Sequence, residues 1–193
     1  VFNLSRLKLL EDEAIRQKKV AKIHIEVETG MNRTGFVRDE WEELIKTLSN
    51  NSNFEVIGVC THFAGAESIA NYTRIQEQRK VFDQFKSMID QSEVNPIQFH
   101  TSCSAALMGY PEEQRDLVRI GILMYGFWPS KEILVSYLTK AATETSPLQR
   151  VISWKSTVMS IKKINKREFV GYGMSFLSEI DMKMATVPVG YSS

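Results

Sequence analysis

The chain has 193 residues, with 24 Lys and Arg against 23 Asp and Glu, for a net charge of +1. That balance gives no bulk electrostatic case for binding nucleic acid or an acidic membrane surface. No apolar run approaches the roughly 18 residues of a membrane span. At 43% hydrophobic and 24% charged, the composition is that of a soluble globular protein. Cys60 and Cys103 show no C-x-x-C spacing, so reduced thiols in a cytoplasmic protein are expected rather than a disulfide framework. No metal site is expected. The sequence opens on Val1 and stops just after an apolar strand pattern, so a fragment of a longer protein is expected.

Residues 3–18 carry Leu4, Leu7, Leu10, Ala14 and Ile15 at helical spacing and predict an amphipathic helix. Residues 20–27 alternate like a strand. A glycine-punctuated loop follows over 28–36. A helix is predicted over 39–48, a strand over 54–63 and a long helix over 72–89. Next come a short strand over 97–100, a short helix over 104–108 and a fourth strand over 118–125. Strands alternating with helices imply βαβ units and a parallel sheet. After a helix-biased stretch at 130–145 the pattern turns β, with strands expected over 151–161, 168–173 and 182–189. The expected fold is therefore α/β: the C-terminal half of a TIM-type (β/α)8 barrel over 1–140, then the start of an antiparallel β domain over 145–193. A whole barrel needs about 250 residues, and four βα units are half of one.

Arg119 stands alone in the apolar run Leu117-Val118-Arg119-Ile120-Gly121-Ile122. Arginine is rarely buried without a partner, so either a structural carboxylate or a ligand is expected to meet it. In β/α barrels the active site lies at the C-terminal strand ends. Those ends carry Arg33, His62, His100, Cys103, Ser104, Arg119, Gly121 and Ile122. Ser104 at a helix start beside Gly121 offers an anion seat. Blander readings stand beside these. Arg33 suits a loop ion pair, Glu26 and Glu28 a solvated strand face, Cys103 a small apolar filler, Tyr172 a packing residue between two glycines, and His24 a surface or satisfied histidine.

Six stretches taken together resemble the fold-type III alanine racemases. Glu28-Thr29-Gly30-Met31-Asn32-Arg33-Thr34-Gly35 is similar to that family's D-T-G-M-x-R-x-G loop, and Thr61-His62-Phe63-Ala64 to its T-H-F-A. His100-Thr101-Ser102-Cys103-Ser104-Ala105 resembles H-x-A-N-S-A. Val118-Arg119-Ile120-Gly121-Ile122, with Tyr125-Gly126 and Pro129-Ser130, resembles V-R-x-G-I-x-x-Y-G-x-x-P-S. Val170-Gly171-Tyr172-Gly173 and Pro188-Val189-Gly190-Tyr191 resemble V-x-Y-G and P-I-G-Y. Any one alone is weak; their order along nearly the whole chain is specific.

The resemblance implies an enzyme that uses pyridoxal 5′-phosphate to interconvert the L and D forms of a small amino acid, foremost alanine, for peptidoglycan precursors. It implies a homodimer whose active site is shared between chains. Arg119 matches the residue facing the cofactor's pyridine nitrogen, and a guanidinium does not give up its proton. His62, Cys103, Ser104, Gly121 and Ile122 match cofactor contacts. Cys103 replaces a family Asn. Arg33 and Tyr191 match substrate contacts. Tyr172 matches one of two bases; the other, a Schiff-base lysine, has no counterpart in this chain. A phenol with an ordinary pKa of about 10 is a weak base at neutral pH, so positive charge from His62 is expected to activate Tyr172. Glu26 occupies the place of a carbamylated lysine and is expected to supply the anion that orients Arg33. Competing readings are a serine or broad-specificity racemase, a non-catalytic pyridoxal-phosphate-binding protein, and a degenerate racemase-like domain.

Overall fold

The structure, a computed structural model, describes residues 1–190. It divides into two units, Val1–Val151 and Ile152–Ser193. No helix of the described residues is long and apolar enough to cross a membrane.

The first unit is α/β. Helix α1 (Leu4–Gln17) begins where the Asn3 side chain accepts the Arg6 N–H at 2.8 Å, and it ends on Lys18 in the left-handed conformation. Strands β1 (Ala21–Glu26), β2 (Phe54–Cys60) and β3 (Gln98–His100) form a parallel sheet in that order. Helices α2 (Trp41–Ser49) and α3 (Tyr72–Asp90) make the two crossovers. Ile23 and Ile25 of β1, and Val27 just after it, alternate and meet Trp41, Leu44, Phe82, Phe85 and Ile89 in one core. Each such side chain contributes about 1.5–3 kcal/mol on full burial. The other face of β1 carries Lys22, His24 and Glu26.

The register aligns the last residues of the three strands. Glu26 pairs with Cys60, and Cys60 with His100. The segments that leave these ends are folded back tightly. After β1, the Phe36 N–H donates to the Glu26 carbonyl at 2.8 Å, and the Trp41 indole N–H donates to the Phe36 carbonyl at 3.1 Å. Gly35 sits at φ +120°, where a Cβ would press on the Glu28 backbone. After β2, Gln78 of α3 clamps Ala64, accepting its N–H at 2.8 Å and donating to its carbonyl at 2.9 Å. After β3 come α4 (Ser104–Gly109) and later α5 (Lys131–Lys140).

The expected fourth strand over 118–125 does not form. The sheet has three strands, and residues 117–121 are irregular before a 3-10 turn at Ile122–Tyr125. Asp116 explains the difference. Its carboxylate, not a strand carbonyl, takes the Phe99 N–H at 2.7 Å, which interrupts a ladder against β3. The Arg119 N–H still reaches the Ser102 carbonyl at 3.0 Å, so the segment runs beside β3 without pairing to it.

Glu113 braces this edge from behind. It is 1% exposed, and its carboxylate meets Arg79 at 2.7 Å and Arg115 at 3.3 Å. Its carbonyl accepts the Thr101 and Ser102 hydroxyls at 2.9 and 2.7 Å. Glu113→Ala leaves Arg115 with Asp83 at 2.7 Å and the partly exposed Arg79 with water, so it is expected to cost about 1–3 kcal/mol, from the lost bonds of a buried carboxylate. Urea denaturation checks this; an unchanged midpoint would contradict it.

The second unit is antiparallel β. Strand β4 (Ser160–Ile164) pairs with β7 (Met182–Thr186), and β5 (Phe169–Val170) with β6 (Phe176–Leu177). The strand expected over 151–161 begins only at Ser160, and residues 151–159 are irregular and exposed. Their β-branched and aromatic residues favour a strand only when a neighbour covers them; Trp154 is 85% exposed. The strand expected over 168–173 shortens to β5, followed by a 3-10 turn at Tyr172–Met174. The strand expected over 182–189 stops at Thr186.

Candidate active site

At the carboxyl ends of the strands lies a cavity of about 550 Å³ lined by His62, Cys103, Ser104, Arg119, Gly121 and Ile122. A larger hollow of about 650 Å³ lies on the outer face of α3 among charged side chains such as Arg79 and Asp83, and it gathers none of the candidate residues. The smaller cavity is the candidate site.

Arg119 is its centre, and it is half-buried rather than buried. Of the two alternatives, a structural carboxylate or a ligand, no carboxylate meets it among the described residues. One Nη donates to His100 Nδ1 and to the His100 carbonyl at 3.2 Å. The other donates to the Thr61 carbonyl at 2.6 Å and the Thr101 carbonyl at 3.4 Å. The guanidinium thus staples the ends of β2 and β3 together. A charged donor on neutral acceptors keeps its positive charge uncompensated, so it faces the cavity as a fixed cation.

Ser104, 5% exposed, accepts the Gly121 N–H on its Oγ at 2.8 Å. That bond leaves the Ser104 hydroxyl hydrogen free to donate elsewhere. Ile122 opens the 3-10 turn, so its N–H has no acceptor within that turn. Cys103 precedes α4 as its N-cap without making a side-chain capping bond. Burial, then the charges of Arg119 and Arg33, push the His62 imidazole below its ordinary range. That direction favours the neutral ring.

Glu26 and Arg33 are not joined. The Glu26 carboxylate accepts the Thr34 hydroxyl at 3.0 Å, and among the ion pairs of the described residues none links it to Arg33, whose side chain is exposed. The expected direct orientation of Arg33 by Glu26 gives way to a contact with the loop's own threonine. Tyr172 lies in the second unit, fully exposed in the turn after β5. Tyr191 lies outside the described residues.

His24 belongs to this site, and sequence reasoning set it aside. Its Nδ1 lies 2.9 Å from His100 Nε2. The signal was the polar alternation Lys22, His24, Glu26. Strands of a parallel sheet are ordinarily apolar on both faces, so a polar stripe marks a face turned to something other than core.

Burial, with Arg119 and His24 adding, lowers the His100 pKa to about 4. An unfolded histidine titrates near 6.5. Between these values the unfolded chain holds a proton that the folded chain refuses. Stability is therefore full above about pH 6.5 and falls toward pH 4, by on the order of 3 kcal/mol for this group. Denaturant midpoints at pH 7.5 and 4.5 measure the loss. His100→Asn is expected to flatten the slope, and an unchanged slope would contradict the assignment.

Parallel strands with a ligand-sized cavity at their carboxyl ends, followed by an antiparallel β unit, describe an α/β protein with a binding site at the strand ends. Two family models cover it in sequence: "Alanine racemase, N-terminal domain" matches residues 1–129, and "Alanine racemase, C-terminal domain" matches 151–193. The chain belongs to the alanine racemase family. The alanine racemase of Clostridium novyi (strain NT) is 36% identical over 193 residues, covering 100% of this chain and 48% of that protein. The alanine racemase structure from D-cycloserine producing Streptomyces lavendulae superposes with a TM-score of 0.74 at 26% identity, over 99% of this chain and 49% of that one. The Bartonella henselae alanine racemase, solved with covalently bound pyridoxal phosphate, shares the fold at a TM-score of 0.62 and 22% identity, over 97% of this chain and 47% of its own. The chain spans about half the length of the curated relatives it matches.

Proposed function

We propose that the full-length protein is a cytoplasmic, homodimeric, pyridoxal-5′-phosphate-dependent racemase of a small amino acid, alanine first, supplying D-alanine for peptidoglycan precursors. In this reading residues 1–140 are the C-terminal half of a (β/α)8 barrel, and 145–193 begin the β domain. The observation that carries it is the meeting of His62, Ser104, Arg119, Gly121 and Ile122 on one cavity. The residues suit the cofactor. The Ser104 hydroxyl and the Ile122 N–H are donors for a phosphate, Gly121 adds no side chain and steadies Ser104, and a fixed cation stands opposite. Cys103 offers a weaker hydrogen-bond partner than the family's amide.

When bound, pyridoxal phosphate supplies the electron sink that makes the Cα proton of an amino acid removable. The rest falls to the protein. Ser104, Gly121 and Ile122 hold the phosphate end. Arg119, which donates and never accepts, faces the ring nitrogen and withholds a proton from it. His62 packs beside the ring. Arg33, reaching over from the loop after β1, draws the substrate carboxylate, with Tyr191 as a second contact. Tyr172 moves the Cα proton at its phenolic oxygen on one face. The lysine that the family resemblance supplies, matched by no residue here, serves the other.

The test is equilibration. Full-length protein loaded with pyridoxal phosphate and given L-alanine is expected to reach equal L and D forms, faster than with L-serine. Loaded protein that produces no D-alanine would end this reading.

A further inference from the structure

We propose that His24 is a positioning residue that fixes the tautomer of His100 and thereby holds Arg119 in place; its bearing on turnover rests on the racemase reading above. The direction of the chain of bonds follows from what each group can donate. Arg119 carries five N–H donors and no acceptor. His100 Nδ1, facing an Arg119 Nη, is therefore the acceptor and bears no proton. His100 is neutral, so its single proton sits on Nε2. That N–H points at His24 Nδ1, 2.9 Å away, which must accept. His24 then carries its own proton on Nε2. Burial first, with Arg119 adding, lowers the His24 pKa, in keeping with a neutral ring. The rings meet edge to face, with centroids 5.0 Å apart.

The sheet makes room for this ring. The register between β1 and β2 slips between Ile23 and His24, so that Gly58, not Ile57, stands opposite His24. A Cβ at Gly58 would overlap His24 Nδ1. Gly58 has no left-handed backbone, so close approach of the imidazole, not chain conformation, accounts for the glycine here. Without His24 as acceptor the His100 Nε2–H is left unpaired, and only the Arg119 donor on Nδ1 still favours that form. The Nδ1–H form would place a donor against the Arg119 donor and release the guanidinium.

The experiment uses the full-length protein with 15N-labelled histidine, the His100 ring signals being assigned by their loss in His100→Gln. In the wild type His100 is expected as the Nε2–H form alone. In His24→Leu a mixture of both forms is expected, with kcat for alanine down about tenfold and KM within about twofold. His24→Asn, whose amide oxygen accepts in place of Nδ1, is expected to restore both readouts. Gly58→Ala leaves every histidine in place but displaces the His24 ring, and it is expected to reproduce the His24→Leu spectrum; it also decides the matter should His24→Leu not fold. A His100 that remains the Nε2–H form in both His24→Leu and Gly58→Ala would overturn the proposal. The ring signals need no turnover, so a protein that racemises nothing would refute the racemase reading and still test this one.

Discussion

Arg119→Lys in the full-length protein is expected to lower kcat/KM about 100- to 1,000-fold and to destabilise the fold by about 2 kcal/mol. Arg119 meets four acceptors contributed by two strand ends: His100 Nδ1 and the carbonyls of His100, Thr61 and Thr101. A planar fork spans them; an ammonium is a point, and on its shorter reach it satisfies one side only. The carbonyls left without a donor carry a desolvation penalty of about 1–3 kcal/mol each, partly relieved by water entering the cavity. The loss in rate has a separate origin. The site uses the cation as a fixed electrostatic feature, and a mobile ammonium is not preorganised toward the same atom. Initial rates in both directions, with denaturation at pH 7.5, measure the two effects. Wild-type rates would remove Arg119 from the mechanism.

Tyr172→Phe is expected to cost about 100- to 10,000-fold in kcat, the range for loss of a positioned general base, with no loss of stability. The side chain is 102% exposed and sits between Gly171 at φ +79° and Gly173 at φ +67°. An added Cβ at either glycine meets nothing within 4 Å. The turn therefore projects a phenol that does no packing work within its own unit, and removing one oxygen leaves the fold unaffected. Rates from L- and D-alanine, with melting temperature as control, decide it. Retained turnover would assign the proton transfer to another group.

The helices and first three strands are legible in the sequence because one force writes them. Phe82, Phe85 and Ile89 repeat at helical spacing, and Ile23, Ile25 and Val27 at strand spacing, since each faces the same core. The segments at 118–125 and 151–159 read as strands by residue type, yet what they become depends on neighbours. Asp116, just ahead of the first, intercepts a ladder bond, and the second lies uncovered within its unit. The candidate site is legible as a set of strand-end residues and illegible as a network. Arg119 meets a carbonyl 58 positions away, and His24 a ring 76 positions away. No local pattern indexes such contacts. The expected pairing of Glu26 with Arg33 came from the family resemblance, by which Glu26 occupies the place of a carbamylated lysine, and no local pattern showed that the Glu26 carboxylate takes the Thr34 hydroxyl.

The central claim is that Ser104, Gly121 and Ile122 seat the phosphate of the cofactor while Arg119 faces its ring. Titration of cofactor-free full-length protein with pyridoxal phosphate, followed by absorbance, tests it directly when wild type and Ser104→Ala are compared. Ser104→Ala removes the free hydroxyl donor and the acceptor that steadies Gly121. The dissociation constant is expected to rise about tenfold, the worth of about one hydrogen bond to a charged group. Equal affinities for the two proteins would contradict the account.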